Sequence, residues 1–329
     1  MPRVAIACQG GGSHTAFTAG VLAEALPWLA AQDCELVGLS GSSGGAVSAV
    51  AAWYGYLTDG PEGACATLEA LWDDVAARGP VERTLNRWLV WNVSVQNNGA
   101  PVPTLSPYQL PFSELGKREF LETLETHVDF DAVPDLVGPE TPEMVVGTVN
   151  VNAGEFETFA NEEITPEAVL ASAAVPTLFE AVEIHGHLHW DGLFSQNPPV
   201  NDLMTVDAAR KPEELWIVQI NPQTSAEEPT SLEAINDRRN ELAGNISLNQ
   251  ELRFIEQVND WVDNGDLPAD AYTKTTVRRI VLDAELSHSS KMDRSRTFLE
   301  ELYARGRDRA ASFLAEVEAD LEGAGATPR

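Results

Sequence analysis

Positive charge is what this 329-residue chain has least of. Lys and Arg total 21 against 51 Asp and Glu, a formal net charge of -30, and Lys117, Lys211, Lys274 and Lys291 are the only lysines. A polyanion of this kind cannot neutralise phosphates and release their counterions, which excludes nucleic acid as a partner. Long apolar runs are missing too: nothing reaches the ~18 uninterrupted apolar residues of a spanning helix. Any membrane contact is therefore expected to be peripheral. Residues Met1 to Cys8 pass directly into a strand pattern, without the charged, apolar and small-residue regions of a signal peptide. Cysteine is equally scarce. Cys8, Cys34 and Cys65 are odd in number and spaced unlike metal ligands, so free buried thiols in a reducing, cytoplasmic compartment are expected.

What is present is a core-forming composition, with 43% hydrophobic residues and a mean hydropathy of -0.17. The 51 carboxylates repel one another in dilute buffer, whereas molar salt, with a Debye length of ~3 Å, removes that cost. The chain reads as a halophilic protein of the cytosol. Its melting temperature is expected to rise steeply from dilute buffer toward molar salt. A flat calorimetric profile refutes the salt adaptation and leaves the chemistry below untouched.

Val4 to Cys8 is an apolar run, followed by Gln9, three glycines and an alanine-rich stretch to about Ala31 with helical spacing at Phe17, Val21, Ala25 and Leu29. This is strand, tight turn, helix. Leu36 to Ser40 repeats the pattern, closed by Gly41 to Gly45 and followed by a helical Ala46 to Tyr56. Helices are expected at Glu62 to Arg78 and Val81 to Trp91, then a long polar loop from Asn92 to Phe112. Met144 to Asn152, Ala181 to Trp190 with a turn at His185-Gly186, Glu214 to Asn221 and Val277 to Ala284 read as strands. Leu232 to Val262 and Asp293 to Leu321 read as amphipathic helices. The alternation predicts an α/β fold, a mostly parallel sheet covered on both faces. No composition break interrupts it. A single domain is expected over 1–322, with its motifs in 3–221 and the last helices and strand in 222–322, and a frayed tail over 323–329.

Gly41-Ser42-Ser43-Gly44-Gly45 fits G-x-S-x-G in one frame, with Ser43 central and Gly41 and Gly45 leaving room for strand and helix to approach. Two readings stay open for it: a nucleophile elbow, whose hydroxyl sits at a helix N-terminus, or a tight or phosphate-binding turn. Gly10-Gly11-Gly12 offers backbone amides to an oxyanion. A dinucleotide turn wants a third glycine where Thr15 stands, so the oxyanion reading is favoured. A serine nucleophile needs a base. The α/β-hydrolase order fits poorly, because one strand precedes Ser43 and His288 is the sole late histidine. Asp191, before Gly192 at the end of a strand, is the better candidate, although an aspartate beside a glycine also suits a plain turn.

Together these segments resemble the patatin-like phospholipase family. The glycine-rich loop is Gly10 to Gly12, the nucleophile motif Gly41 to Gly45, and the aspartate-glycine motif Asp191-Gly192, with Ala171 to Phe179 and Gln196 to Val200 flanking the aspartate. The resemblance spans about residues 3–221. It implies a three-layer α/β/α fold with a mostly parallel central sheet. It also implies a Ser43–Asp191 dyad, an oxyanion hole in Gly10, Gly11 and Gly12, and hydrolysis of lipid esters through an acyl-enzyme, without a metal or organic cofactor. His14 and Thr15 depart from the family's basic residue and glycine, and Leu193 from its small residue. The first departure bears on oxyanion or head-group contacts, the second on the loop alone. A catalytically idle lipid-binding or regulatory member is the first alternative.

The second alternative is a metal-dependent hydrolase, because His187, His189 and Asp191 alternate on one strand face as in a His-x-His-x-Asp ligand run. The next ligand should be histidine but is Gly192, so a polar strand face lining a cleft is favoured. Leu85, Trp88, Leu89 and Trp91 form an aromatic stripe at helical spacing. Core packing is expected of it in preference to a lid that meets lipid.

Overall fold

A computed structural model describes every residue except 1, 33, 98–105, 110–112, 177, 206–209, 226–227, 270, 285 and 326–329. The strands are β1 (Arg3–Cys8), β2 (Glu35–Gly41), β3 (Glu143–Asn150), β4 (Glu155–Ala160), β5 (Val182–Ile184), β6 (His187–Asp191), β7 (Glu214–Gln219) and β8 (Thr276–Val281). The helices are α1 (Ala16–Ala31), α2 (Gly44–Val75), α3 (Pro80–Asn97), α4 (Ser113–His127), α5 (Val133–Leu136), α6 (Pro166–Ser172), α7 (Asn201–Met204), α8 (Leu232–Asp263) and α9 (Arg296–Gly325).

Side-chain alternation along the strands builds the two sides of the sheet. Val4, Ile6 and Cys8 of β1 join Trp216 and Val218 of β7 in one apolar cluster with α1, α2 and α9. Ala5, Ala7, Leu215 and Ile217 face the opposite way, onto Leu203 of α7 and Leu248, Leu252 and Ile255 of α8. Strands that are apolar on both faces must be covered on both, and the result is the three-layer α/β/α arrangement. The sheet order is β5-β6-β3-β2-β1-β7-β8, with β4 on the other edge of β3. β3, β2, β1, β7 and β8 run parallel, whereas β4, β5 and β6 add antiparallel pairs around β3.

Several expected boundaries change. α2 joins the two expected helices through a kink at Asp59 and Gly60, where Gly60 takes φ 63° and Pro61 restarts the helix. α3 continues to Asn97, which shortens the loop expected from Asn92; much of the remainder of that loop lies outside the described residues. The hairpin within Ala181 to Trp190, by contrast, turns where expected, at His185 and Gly186, both at positive φ. α9 carries residues 323–325, and the rest of the expected tail, 326–329, lies outside the described residues. β4, α4 and α6 had no expected counterpart. None of the three cysteines is in a disulfide, but only Cys8 is buried, where burial pushes its thiol pKa up; Cys34 and Cys65 are half-buried.

Candidate active site

The site lies where two strands end head to head on one edge of β3. Val146 and Thr148 of β3 both pair with β4 on one side, through Phe159 and Glu157. On the other side Val146 pairs with Gly41, the last residue of β2, and Thr148 with Asp191, the last residue of β6. β2 is parallel to β3 and β6 antiparallel, so their C-terminal ends point at each other across Gly147. A Cβ at Gly147 would lie 2.9 Å from Ser42 Oγ and 3.2 Å from Pro199, and no side chain fits there. Gly192 meets the same point from β6, against the Gly147 carbonyl.

Ser43 opens α2 with φ 54° and ψ -136°, a strained conformation for a residue with a side chain. The strain is held by its neighbours: the Ser43 N–H donates to Ser172 Oγ at 2.9 Å, and Ser172 Oγ donates to the Gly147 carbonyl at 2.7 Å. A Cβ at Gly45 would collide with the carbonyls of Cys8, the last residue of β1, and of Gln9 after it, so the turn closes only around glycine. Ser42, the neighbouring serine, is fully buried and donates its hydroxyl to the Gln196 carbonyl at 2.6 Å. Ser43 keeps 7% exposure.

Asp191 is fully buried. Its Oδ1 accepts the Leu193 N–H at 2.8 Å, and its Oδ2 has no hydrogen-bond partner among the described residues. Burial pushes its pKa up to about 7, against the opposing pull of the Leu193 N–H and the Ser43 hydroxyl. The Ser43 hydroxyl pulls the Asp191 pKa down without closing a hydrogen bond to Oδ2. Such contacts commonly tighten only when substrate arrives.

The glycine loop is held by amides from distant parts of the chain. Asn197 Oδ1 accepts the Gly10 N–H at 2.6 Å, and Asn221 Nδ2 donates to the Gly10 carbonyl at 2.8 Å. Gln9 accepts the N–H groups of Ile220 and Asn221 and donates to Asn245 Oδ1 and the Asn197 carbonyl. The Gly10 amide is therefore engaged and is corrected out of the expected oxyanion donors. With the Gly10 carbonyl drawn to Asn221, the trans peptide aims the Gly11 N–H the opposite way. Among the described residues neither the Gly11 nor the Gly12 N–H has a partner. Gly12 takes φ 58° against the Lys291 carbonyl, and Thr15 Oγ1 donates to the Gly12 carbonyl at 2.6 Å.

A family model for patatin-like phospholipases matches residues 6–204, well over half of the chain. The chain belongs to the patatin-like phospholipase family. No curated protein matches this sequence. Among solved structures, the chain is similar to VipD from Legionella pneumophila, with 12% identity, 93% of this chain and 67% of VipD covered, and a TM-score of 0.39. It is also similar to ExoU in its complex with SpcU from Pseudomonas aeruginosa, with 11% identity, 96% of this chain and 51% of ExoU covered, and a TM-score of 0.36. The chain thus spans about half the length of ExoU.

In this chain the two departures from the family pattern after the glycine run, His14 and Thr15, are buried. His14 is 4% exposed, with Nε2 2.8 Å from Ser290 Oγ and its ring edge-on to Phe298. The strand face of the metal alternative is also occupied. His189 is buried with Nε2 3.0 Å from Glu157 Oε2, whereas His187 is exposed. Among the described residues no three His, Cys, Asp or Glu side chains gather as a metal site. The stripe on α3 contradicts the expected core packing: Leu85, Trp88 and Trp91 are 55%, 53% and 60% exposed. The helical spacing holds and the face points outward; the Leu89 side chain lies outside the described residues. No helix among the described residues is long and apolar enough to cross a membrane.

The residues missed from the sequence are the amides that hold the loop, Asn197, Asn221 and Asn245. Asn197 stood in a family-like segment without a role. Asn221 and Asn245 carry no local signal.

Proposed function

We propose that this chain is a serine acyl hydrolase of lipid esters, of the phospholipase A, lysophospholipase or carboxylesterase type, with Ser43 as nucleophile and Asp191 as general base. The observation that carries the proposal is the convergence of β2 and β6 at Gly147. It brings a strained, slightly exposed serine to a fully buried aspartate whose pKa of about 7 suits proton transfer near neutrality. Asp191 takes the hydroxyl proton as Ser43 attacks the ester carbonyl. The N–H groups of Gly11 and Gly12 receive the oxyanion, and the leaving alcohol collects the proton from Asp191. Asp191 then deprotonates a water that attacks the acyl-enzyme, releasing the fatty acid and regenerating Ser43. Each step uses groups of the chain and water alone.

The catalytic unit is taken to be the whole of 1–322, because β7 and β8 extend the sheet from β1, and α9 packs along α1. A fluorophosphonate ester tests the activated serine directly. At molar salt it is expected to label one site, with mass spectrometry of the peptide placing the adduct on Ser43. Labelling is expected to disappear in Ser43→Ala and to slow strongly in Asp191→Asn. An unlabelled, folded wild-type protein supports the idle lipid-binding reading.

A further inference from the structure

α3 is amphipathic in the inverse sense. At 100° per residue, Leu85, Trp88 and Trp91 share one face, and Asn86 points the other way. The inward residue is the polar one. Asn86 is 8% exposed, donating from Nδ2 to Asp293 Oδ1 and accepting the Arg294 N–H on Oδ1, each at 3.0 Å. The outward residues are the large apolar ones, and two exposed tryptophans on one helix have no account in the isolated fold.

The charge pattern says what covers them. Between Asp74 and Glu114 the chain carries a single acidic residue, Glu82, and three arginines, whereas the protein as a whole has 51 acids. Acid is thus withdrawn from the stretch that carries the apolar face. Arg83 and Arg87 of α3 are exposed beside it. Tryptophan favours the boundary between acyl chains and polar headgroups, and arginine can meet a headgroup phosphate while its stem stays in the apolar layer. The body of the protein, at -30, repels a negatively charged membrane wherever salt leaves that charge unscreened, and at any salt it adds no attraction to one. An electrically neutral surface is the complement that satisfies both features.

The location suits delivery to the site. Asn86 holds α3 to residues 293 and 294, immediately after the 3-10 turn His288–Met292. The same turn places the Lys291 carbonyl against Gly12 and Ser290 Oγ against His14, so α3 is anchored beside the glycine loop.

We propose that the Leu85–Trp88–Trp91 face of α3 docks the protein on the surface of zwitterionic lipid assemblies and so brings lipid esters to Ser43. The proposal rests on the lipid-hydrolase reading for its purpose, but the docking is read without catalysis.

The test uses the full chain carrying Ser43→Ala, in molar salt, with vesicles of pure phosphatidylcholine and a parallel set containing phosphatidylglycerol. Flotation is expected to recover the protein with phosphatidylcholine vesicles, with a blue shift of tryptophan emission. Adding Trp88→Ser and Trp91→Ser is expected to weaken binding by about tenfold or more, since two large apolar side chains are lost from the contact. With Ser43 intact, the same double variant is expected to hydrolyse a soluble p-nitrophenyl ester as the wild type does and vesicular lipid about tenfold more slowly. Unchanged flotation of the double variant overturns the proposal. So does binding confined to the phosphatidylglycerol vesicles, which makes the anionic headgroup, not the apolar face, the determinant. A wild-type dimer that the double variant dissolves, without vesicle binding, assigns the face to a second copy. If the soluble ester is never hydrolysed while flotation behaves as expected, the catalytic reading fails and the docking surface stands.

Discussion

Asp191→Asn is expected to abolish ester hydrolysis and, at alkaline pH, to make the protein more stable. Burial, opposed by the Leu193 N–H and the Ser43 hydroxyl, lifts the carboxyl pKa from 3.8 to about 7. A group whose pKa is raised on folding favours the folded state fully below its unfolded value, and that contribution is lost as pH rises through the folded one. By pH 8 the fold carries a buried carboxylate whose ionisation opposes folding by about 4 kcal/mol, at 1.36 kcal/mol per unit. Asparagine keeps the shape and removes the charge. Thermal unfolding at pH 8 is therefore expected to shift upward by several degrees in Asp191→Asn, and to shift little at pH 4, where the wild-type carboxyl is largely protonated in the fold. The activity follows the opposite sign. Only ionised Asp191 accepts the serine proton, so wild-type kcat/KM is expected to fall about tenfold per pH unit below about 7 and to level off above it. Wild-type turnover in Asp191→Asn refutes the base assignment, and an unchanged melting temperature at pH 8 refutes the cost of the buried charge.

Three serine variants separate chemistry from backbone strain at the elbow. Ser43→Ala and Ser43→Gly are each expected to lower kcat for a short p-nitrophenyl ester by several orders of magnitude, because both remove the attacking oxygen. They are expected to differ in stability. Alanine keeps a Cβ at φ 54°, whereas glycine adopts that conformation freely and recovers part of the 1–3 kcal/mol, roughly, that such strain costs. Denaturant unfolding is expected to rank Ser43→Gly above both the wild type and Ser43→Ala. Ser42→Ala leaves the Gln196 carbonyl without its donor, a loss of roughly 1 kcal/mol, and is expected to retain measurable turnover. Loss of activity in Ser42→Ala equal to that in Ser43→Ala would mean the frame of the motif is misassigned.

The parts legible in the sequence are those with local causes. β1 and β2 are apolar runs ended by glycines, and the helices after them repeat at helical spacing. His185-Gly186 supplies the two positive φ values of a tight hairpin turn. Asp191 could be named because Gly192 follows a strand end. The rest depends on partners far apart in the chain. Gln9 meets Asn245 across 236 positions, and nothing near either residue announces the other. β4 was hidden by acidic residues at positions 155 and 157, with Phe156 exposed and only Phe159 buried. On α3 the periodicity gave a face but not its direction, since a buried stripe and a solvent-facing one have the same spacing. Asn86, the residue that decides it, reads as one more polar position until Asp293 and Arg294 are beside it.

The head-to-head meeting of β2 and β6 at Gly147 also bears on how the chain is made. During synthesis the elbow emerges early, with β1, β2 and the start of α2. The aspartate arrives only after β3 has been laid beside β2 and the β5–β6 hairpin has closed back onto the free remainder of that edge. A nascent chain halted before residue 191 can hold a shaped serine turn without a base. On the proposed reading, closure of the hairpin is the step that joins the two halves of the dyad, and Asn197, Asn221 and Asn245, which hold the glycine loop, follow later still in the chain.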